Sequence, residues 1–163
     1  MLPEPPFTAP SKMPLPVMLL GAAASFPLTT LAGMIVMGIT VPGIDNTFAL
    51  MVYGAIVLTF MSGVLWGLAM IMPGHGAPGR WGHSSEWRRY LVSFAPALCA
   101  WVGLLLPLKA GALVMAGGFI AMLIYDLHCT RVGEAPSWFP ALRWPLVIMA
   151  VGSLIVGIVL AGR

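Results

Sequence analysis

Long apolar stretches, separated by short polar or proline- and glycine-containing segments, run through most of this sequence. The clearest stretch covers residues 53–72, which include no charged side chain and follow the apolar residues 48–52. A hydrocarbon core of ~30 Å needs about 20 helical residues, and a backbone in lipid must satisfy its own hydrogen bonds. This stretch therefore predicts a transmembrane helix.

The pattern repeats, and it predicts an all-α integral membrane bundle of five transmembrane helices. The predicted spans cover residues 14–41, 48–72, 90–106, 110–127 and 143–161. Residues 1–13 form a proline-rich tail, because proline removes backbone donors and cannot sustain a helix. Residues 14–163 form a single five-span membrane domain. The tail lacks the basic start and apolar core of a secretory signal, so we expect it to be retained.

The composition supports a membrane protein. Hydrophobic residues make up 60% of the chain and charged residues 8%, compared with roughly 25% charged residues in a soluble domain. The net charge of +3 could suggest a nucleic-acid partner. However, the basic residues lie outside the predicted spans, where membrane orientation explains them better, so no nucleic-acid partner is expected.

The distribution of basic residues predicts the orientation. One side of the membrane receives Lys12, Arg80, Arg88, Arg89, Arg131 and Arg143, and the other receives Lys109 and Arg163. Basic residues are enriched on the cytoplasmic side, which predicts a cytoplasmic N-terminus and an outside C-terminus. The expected location is the bacterial inner (cytoplasmic) membrane.

Small residues mark candidate helix-packing positions. Gly63 and Gly67 lie four residues apart in the second span, and Gly117 and Gly118 lie in the fourth. Glycines at such positions let two membrane helices approach closely.

Two prolines predict kinks inside the spans. Pro27 lies in the middle of the first span and Pro96 in the third, and each removes a backbone hydrogen bond. Each kink could be a hinge or a simple packing feature, since proline is common in membrane helices. Together with Trp66 they define a candidate ligand notch between the first and third spans.

Charged residues at the cytoplasmic ends of the spans form a second candidate site. Asp126 ends the fourth predicted span and Arg143 begins the fifth, so the two can meet near Arg131. This inner-interface polar site could bind a headgroup, a phosphate or a partner's charge. Alternatively, it is an interfacial ion pair, which contributes ~0–1 kcal/mol when exposed.

The long loop before the third span carries Arg80, Arg88 and Arg89 among tryptophans. A basic loop beside a bilayer meets anionic lipid first, so we expect it to face lipid or a protein partner.

The sequence offers no recognisable catalytic constellation. We find no nucleophile–base set, no phosphate-binding glycine loop and no metal-ligand spacing, so we predict no catalytic residues, metal or cofactor. His75 and His83 lie eight residues apart in a loop, without a carboxylate or thiol in a recognised metal-binding pattern. The twelve methionines could bind copper(I), but their scatter over several faces favours gap-filling in apolar cores. No ionisable group lies at mid-membrane depth, which disfavours ion-coupled transport.

Two segments together resemble a known family. The segment Leu58-Thr-Phe-Met-Ser-Gly-Val-Leu-Trp-Gly67 is followed by Asp126, Gly133, Pro136, Trp138 and Leu142-Arg143. This combination is similar to an uncharacterised family of small five-span membrane proteins, a domain of unknown function of proteobacteria with mitochondrial relatives. The resemblance implies architecture and membrane location, because the family has no established activity. Leu65 stands where many members are expected to carry histidine.

These observations predict a non-enzymatic membrane protein that packs against other membrane proteins. An accessory or assembly subunit of an energy-transducing complex is the leading expectation, with membrane lipids and other membrane proteins as partners and a homo-oligomer as a further option. The alternative is a binding or transport protein for a small apolar or amphipathic ligand.

Overall fold

In a computed structural model, which describes residues 12–71, 83–132 and 135–160, the chain forms a bundle of helices. They are α1 (Leu15–Met37), α2 (Asn46–Ile71), α3 (His83–Leu105), α4 (Leu108–Arg131) and α5 (Phe139–Leu160). Four of them, α1, α2, α4 and α5, are long and apolar enough to cross a membrane, whereas the apolar part of α3 is the shorter segment Arg89–Leu105. The prediction of an all-α membrane bundle is confirmed.

Backbone geometry and a side-chain cap form the turn between α1 and α2. Gly38 ends α1 with a φ of 66°, and Gly43 continues the turn with a φ of 82°, both in the left-handed region that favours glycine. Asp45 then caps α2, because its Oδ1 accepts hydrogen bonds from the backbone N–H groups of Thr47 (2.8 Å) and Phe48 (3.1 Å).

Helix α2 lies at the centre of the bundle. It contacts α1, α3, α4 and α5, while the remaining neighbours are α1 with α5, α5 with α4, and α4 with α3. The largest fully buried apolar side chains include Leu28, Leu50, Leu58, Met61, Met115, Phe119, Met122 and Leu154. Leucine and methionine thus fill the space around α2, as expected where side chains of adaptable shape close an apolar core.

The short link at Pro107 folds α3 and α4 into an antiparallel hairpin with very close backbones. A Cβ added to Gly111 would overlap the carbonyl oxygen of Gly103, and a Cβ on Gly103 would lie 2.8 Å from Cγ of Met115. Only residues without a side chain allow this approach, so the two glycines fix where the helices cross.

Helix α2 also donates hydrogen bonds to the two helices that contain mid-span prolines. Helices α1 and α3 continue through Pro27 and Pro96, whose rings disturb the hydrogen-bond ladder of the preceding turn. The Tyr53 hydroxyl donates to the carbonyl of Ala24 at 3.1 Å, and the Ser62 hydroxyl donates to the carbonyl of Ser93. Each acceptor lies three residues before a proline, next to the carbonyl of Ala23 or Val92 that loses its helical donor, so α2 adds one hydrogen bond within each disturbed turn.

Candidate functional site

The most polar contact inside the described bundle joins α4 and α5. Arg143 Nε lies 3.3 Å from Asp126 Oδ2, and both residues are almost completely buried, with exposed fractions of 4% and 0%. The Arg143 guanidinium carbon also lies 4.7 Å from the centre of the Phe139 ring, a cation–π contact. The two charges therefore neutralise each other away from water.

Helix lengths explain why this pair is buried. Helix α4 continues to Arg131, beyond Asp126, and the Thr130 hydroxyl donates to the Asp126 carbonyl at 2.9 Å within this added turn. Helix α5 begins at Phe139, so Arg143 is one turn inside it. The predicted spans ended beside these charged residues, and the expectation of an exposed ion pair is wrong because both helices extend past them.

Apolar and aromatic side chains enclose the same end of the bundle. Cys129, Ala135 and Phe139 form a small buried cluster. Side chains of α2, α4 and the α4–α5 link pack on it: Val64, Leu68, Tyr125 and Trp138. Neither Asp126 oxygen nor Arg143 Nε makes an aligned hydrogen bond, because the 3.3 Å approach has poor geometry. The arrangement holds opposite charges together at one end of the bundle.

Arg131, predicted near this site, and the separately predicted basic loop have different positions. Arg131 is exposed at the last residue of α4 and does not take part in the buried pair. Arg89 is half-buried in the first part of α3. Arg80 and the side chain of Arg88 lie outside the described residues. The structure thus brings Asp126 and Arg143 together and leaves Arg131 at the surface.

The predicted helix-packing glycines fall into two groups. Gly118 is buried, and a Cβ there would lie 3.0 Å from Leu58 and 3.2 Å from the Cβ of Cys99. A Cβ on Gly63, Gly67 or Gly117 would meet nothing within 4 Å. These three glycines therefore make no close helix contact within the described part of the chain.

The predicted notch between the first and third spans does not form among the described residues. Helices α1 and α3 do not touch, because α2 packs against both of them. Pro96 is buried, and the ring of Trp66 packs 5.1 Å from that of Tyr90. Pro27, Trp66 and Pro96 consequently do not converge on one cavity.

Sequence reasoning missed the interhelical roles of Tyr53 and Ser62. Neither residue has an interhelical partner that the sequence alone identifies. The available signal was chemical: a hydroxyl on an apolar helix needs an acceptor, and backbone carbonyls in the proline-containing turns of neighbouring helices can accept a further hydrogen bond. The partner carbonyls could not be chosen without the helix arrangement.

Comparison with known proteins assigns the chain to a family. No solved structure matches it. Transmembrane protein 69 of Xenopus tropicalis is 36% identical over 146 residues, which are 87% of this chain and 53% of that protein, so the chain spans about half the length of this relative. Residues 13–159 match the family described as a protein of unknown function, DUF3429, which confirms the resemblance to an uncharacterised family. The chain therefore belongs to the DUF3429 family of membrane proteins of unknown function.

Proposed function

We propose that this chain is a non-enzymatic accessory or assembly subunit that packs against a larger, energy-transducing complex in the bacterial inner membrane. The observation that carries the proposal is an open small-residue surface on α2. Gly63 is exposed and Gly67 half-buried, and a Cβ on either would meet nothing within 4 Å. Paired small residues of this kind are typical of helix–helix interfaces in membranes.

The residues around these glycines form one continuous face, which we call the outward α2 face. It consists of Phe60, Gly63, Trp66, Gly67 and Met70. These residues recur at helical spacing, and Phe60 is 72% exposed. Large side chains that flank small ones form a ridge beside a groove, the shape into which a second helix packs.

A lateral groove extends this face towards α3. The groove has a volume of about 460 Å³ and lies between Ile56 and Thr59 of α2 and Trp101 of α3. Its other lining residues are Val52, Ala55, Ala97, Ala100 and Leu104. Because the alanine side chains are short, they leave room for a partner helix to pack against α2 and α3 together.

The insertion that we propose includes α3 as a fifth span. Its apolar segment Arg89–Leu105 is ~26 Å long at 1.5 Å per residue, slightly short of the ~30 Å hydrocarbon core. Local bilayer thinning can absorb this difference. The excess of basic residues at the α2–α3 and α4–α5 connections supports a cytoplasmic N-terminus and an outside C-terminus.

The alternative, a binding or transport protein for a small apolar ligand, has weaker support. Ligand sites usually enclose most of the ligand surface. The groove between α2 and α3 and a second one between α1 and α5 are open along the side that would face lipid. Open grooves of this kind are better suited to contact with a partner helix or lipid than to enclosing a free ligand.

Affinity purification from the native membrane tests the proposal. The tagged protein would be extracted in mild detergent and its stoichiometric partners identified by mass spectrometry. Gly63→Leu should lower partner recovery roughly tenfold, equivalent to about 1.4 kcal/mol, because the leucine fills the space needed by the partner helix.

The matched control is Gly152→Leu. Gly152 is an exposed helical glycine on α5 with nothing within 4 Å of its Cβ position, but it lies away from the outward α2 face. Gly152→Leu should leave partner recovery unchanged. Recovery of the wild-type protein alone, or equal partner loss in both variants, would contradict the proposal.

A further inference from the structure

We propose that the groove between α1 and α5 binds one acyl chain of an anionic phospholipid from the cytoplasmic leaflet. The groove has a volume of about 370 Å³. Its walls include Met18, Ala22, Phe26, Leu142, Pro145 and Met149. This site is separate from the outward α2 face and does not depend on a protein partner.

The length of the groove matches one leaflet. On α1 its lining extends from Met18 to Thr29, a distance of ~16 Å at 1.5 Å per residue. On α5 it extends from Ala141 to Met149, ~12 Å by the same measure. One leaflet is about half of the ~30 Å hydrocarbon core. The groove therefore has the reach of a single acyl chain lying along the membrane normal.

The two hydroxyl groups in the groove already donate hydrogen bonds within α1, which favours hydrocarbon over a polar ligand. The Ser25 hydroxyl donates to the Gly21 carbonyl at 3.2 Å, and the Thr29 hydroxyl donates to the Phe26 carbonyl at 3.0 Å. Both hydroxyl protons are therefore used within α1. The other lining side chains are apolar. The polar groups of a bound ligand would therefore lack side-chain hydrogen-bond donors in this groove, whereas the methylene groups of an acyl chain need no donor.

The floor and walls of the groove suit a flexible occupant. A Cβ on Gly21 would lie 2.6 Å from Cδ1 of Leu142, so α1 and α5 approach closely and Leu142 covers the floor. The walls carry Met18, Phe26 and Met149, which are long and partly exposed. An acyl chain can follow the irregular surface that these long side chains form.

The membrane-surface end of the groove carries positive charge. Met13 lines this end, and the preceding residue, Lys12, is exposed. Trp144 is partly exposed one turn into α5, as is common for aromatic residues at the membrane interface. An ammonium group at this depth attracts an anionic headgroup whose acyl chain occupies the groove.

Native mass spectrometry of the purified full chain tests this site. Dioleoyl-phosphatidylglycerol and dioleoyl-phosphatidylcholine would be titrated into the protein in mild detergent. Ala22→Leu fills the groove and should weaken phosphatidylglycerol binding about tenfold, since each methylene displaced from an apolar site lowers affinity several-fold. Ala23→Leu is the matched control, because Ala23 is also exposed on α1 but does not line the groove.

Lys12→Gln tests the headgroup contact separately. The wild-type protein should prefer phosphatidylglycerol over phosphatidylcholine, and Lys12→Gln should reduce this preference while both lipids still bind. The proposal would be overturned by equal lipid binding in Ala22→Leu and Ala23→Leu, or by an unchanged preference in Lys12→Gln. It would also be overturned if Ala22→Leu removed a co-purifying protein and left lipid binding intact. Because the purified chain is used, the result is independent of the proposed partner complex.

Discussion

Helix α4 and the outward α2 face both carry glycines, but these glycines differ in their contacts. Helix α4 is in close contact with its neighbours, whereas the outward α2 face is open. Where α4 meets α3, Gly111 and Gly103 are in backbone contact, and where it meets α5, Asp126 and Arg143 pair in the interior. On α2, Gly63 and Gly67 meet nothing within 4 Å. A small residue therefore permits two helices to approach closely. Whether they do so depends on which helix lies beside that residue.

The difference follows from the position of each helix in the bundle. Helix α4 contacts α2, α3 and α5, and most of its small residues are turned towards them. Helix α2 has one side in the core and another side that no described helix covers. Substitutions in these two regions should consequently affect different properties: folding stability for the α4 contacts, and association for the outward α2 face.

Breaking the ion pair should have the largest effect on stability. Asp126→Ala leaves the Arg143 charge buried without its partner, which should lower the free energy of unfolding by about 3–5 kcal/mol. Denaturant unfolding of the purified protein in detergent micelles measures this loss.

The double variant Asp126→Ala/Arg143→Met is the control for that experiment. It removes both charges and keeps an apolar side chain on α5, so most of the lost stability should return. If Asp126→Ala cost less than about 1 kcal/mol, the pair would behave as an exposed contact, and its buried geometry would be contradicted.

Crowding the α3–α4 contact should have a smaller effect. Gly111→Ala forces the backbones of α3 and α4 apart, and we expect a loss of about 1–3 kcal/mol in the free energy of unfolding. Gly117→Ala is a matched control six residues further along α4, since a Cβ on Gly117 meets nothing within 4 Å. It should be neutral or stabilise the helix by up to about 1 kcal/mol. Thermal unfolding of both variants distinguishes the sites, and equal losses would contradict the described crossing.

Apolar length alone was sufficient to predict the helical membrane architecture. Stretches such as residues 53–72 permit few structures in lipid, and the helices begin and end within a few residues of most predicted limits. Helix α3 begins seven residues before its predicted span, at His83, and α4 and α5 each extend four residues beyond the predicted limits beside Asp126 and Arg143. A charged residue was treated as the end of a span, although a charge that finds its partner can remain inside a helix.

The arrangement of helices could not be predicted from these patterns. Proline and tryptophan positions suggested a notch between the first and third spans, but α2 separates those helices. Which glycines become buried likewise depends on which helices become neighbours. Apolar residues are distributed almost evenly around α1, α2 and α4, so the pattern does not show which side faces the core. The pairing of Asp126 with Arg143 was accessible because Asp126 lies near the end of the fourth predicted span and Arg143 at the start of the fifth.

Site-specific photocrosslinking in native membranes tests the central claim most directly. A benzophenone amino acid would replace Phe60 on the outward α2 face or, as the control, Ile155, an exposed residue on α5. We predict one discrete adduct with a second membrane protein from position 60 and none from position 155. If position 60 yields no protein adduct, or both positions yield the same adducts, the outward α2 face is not a partner surface.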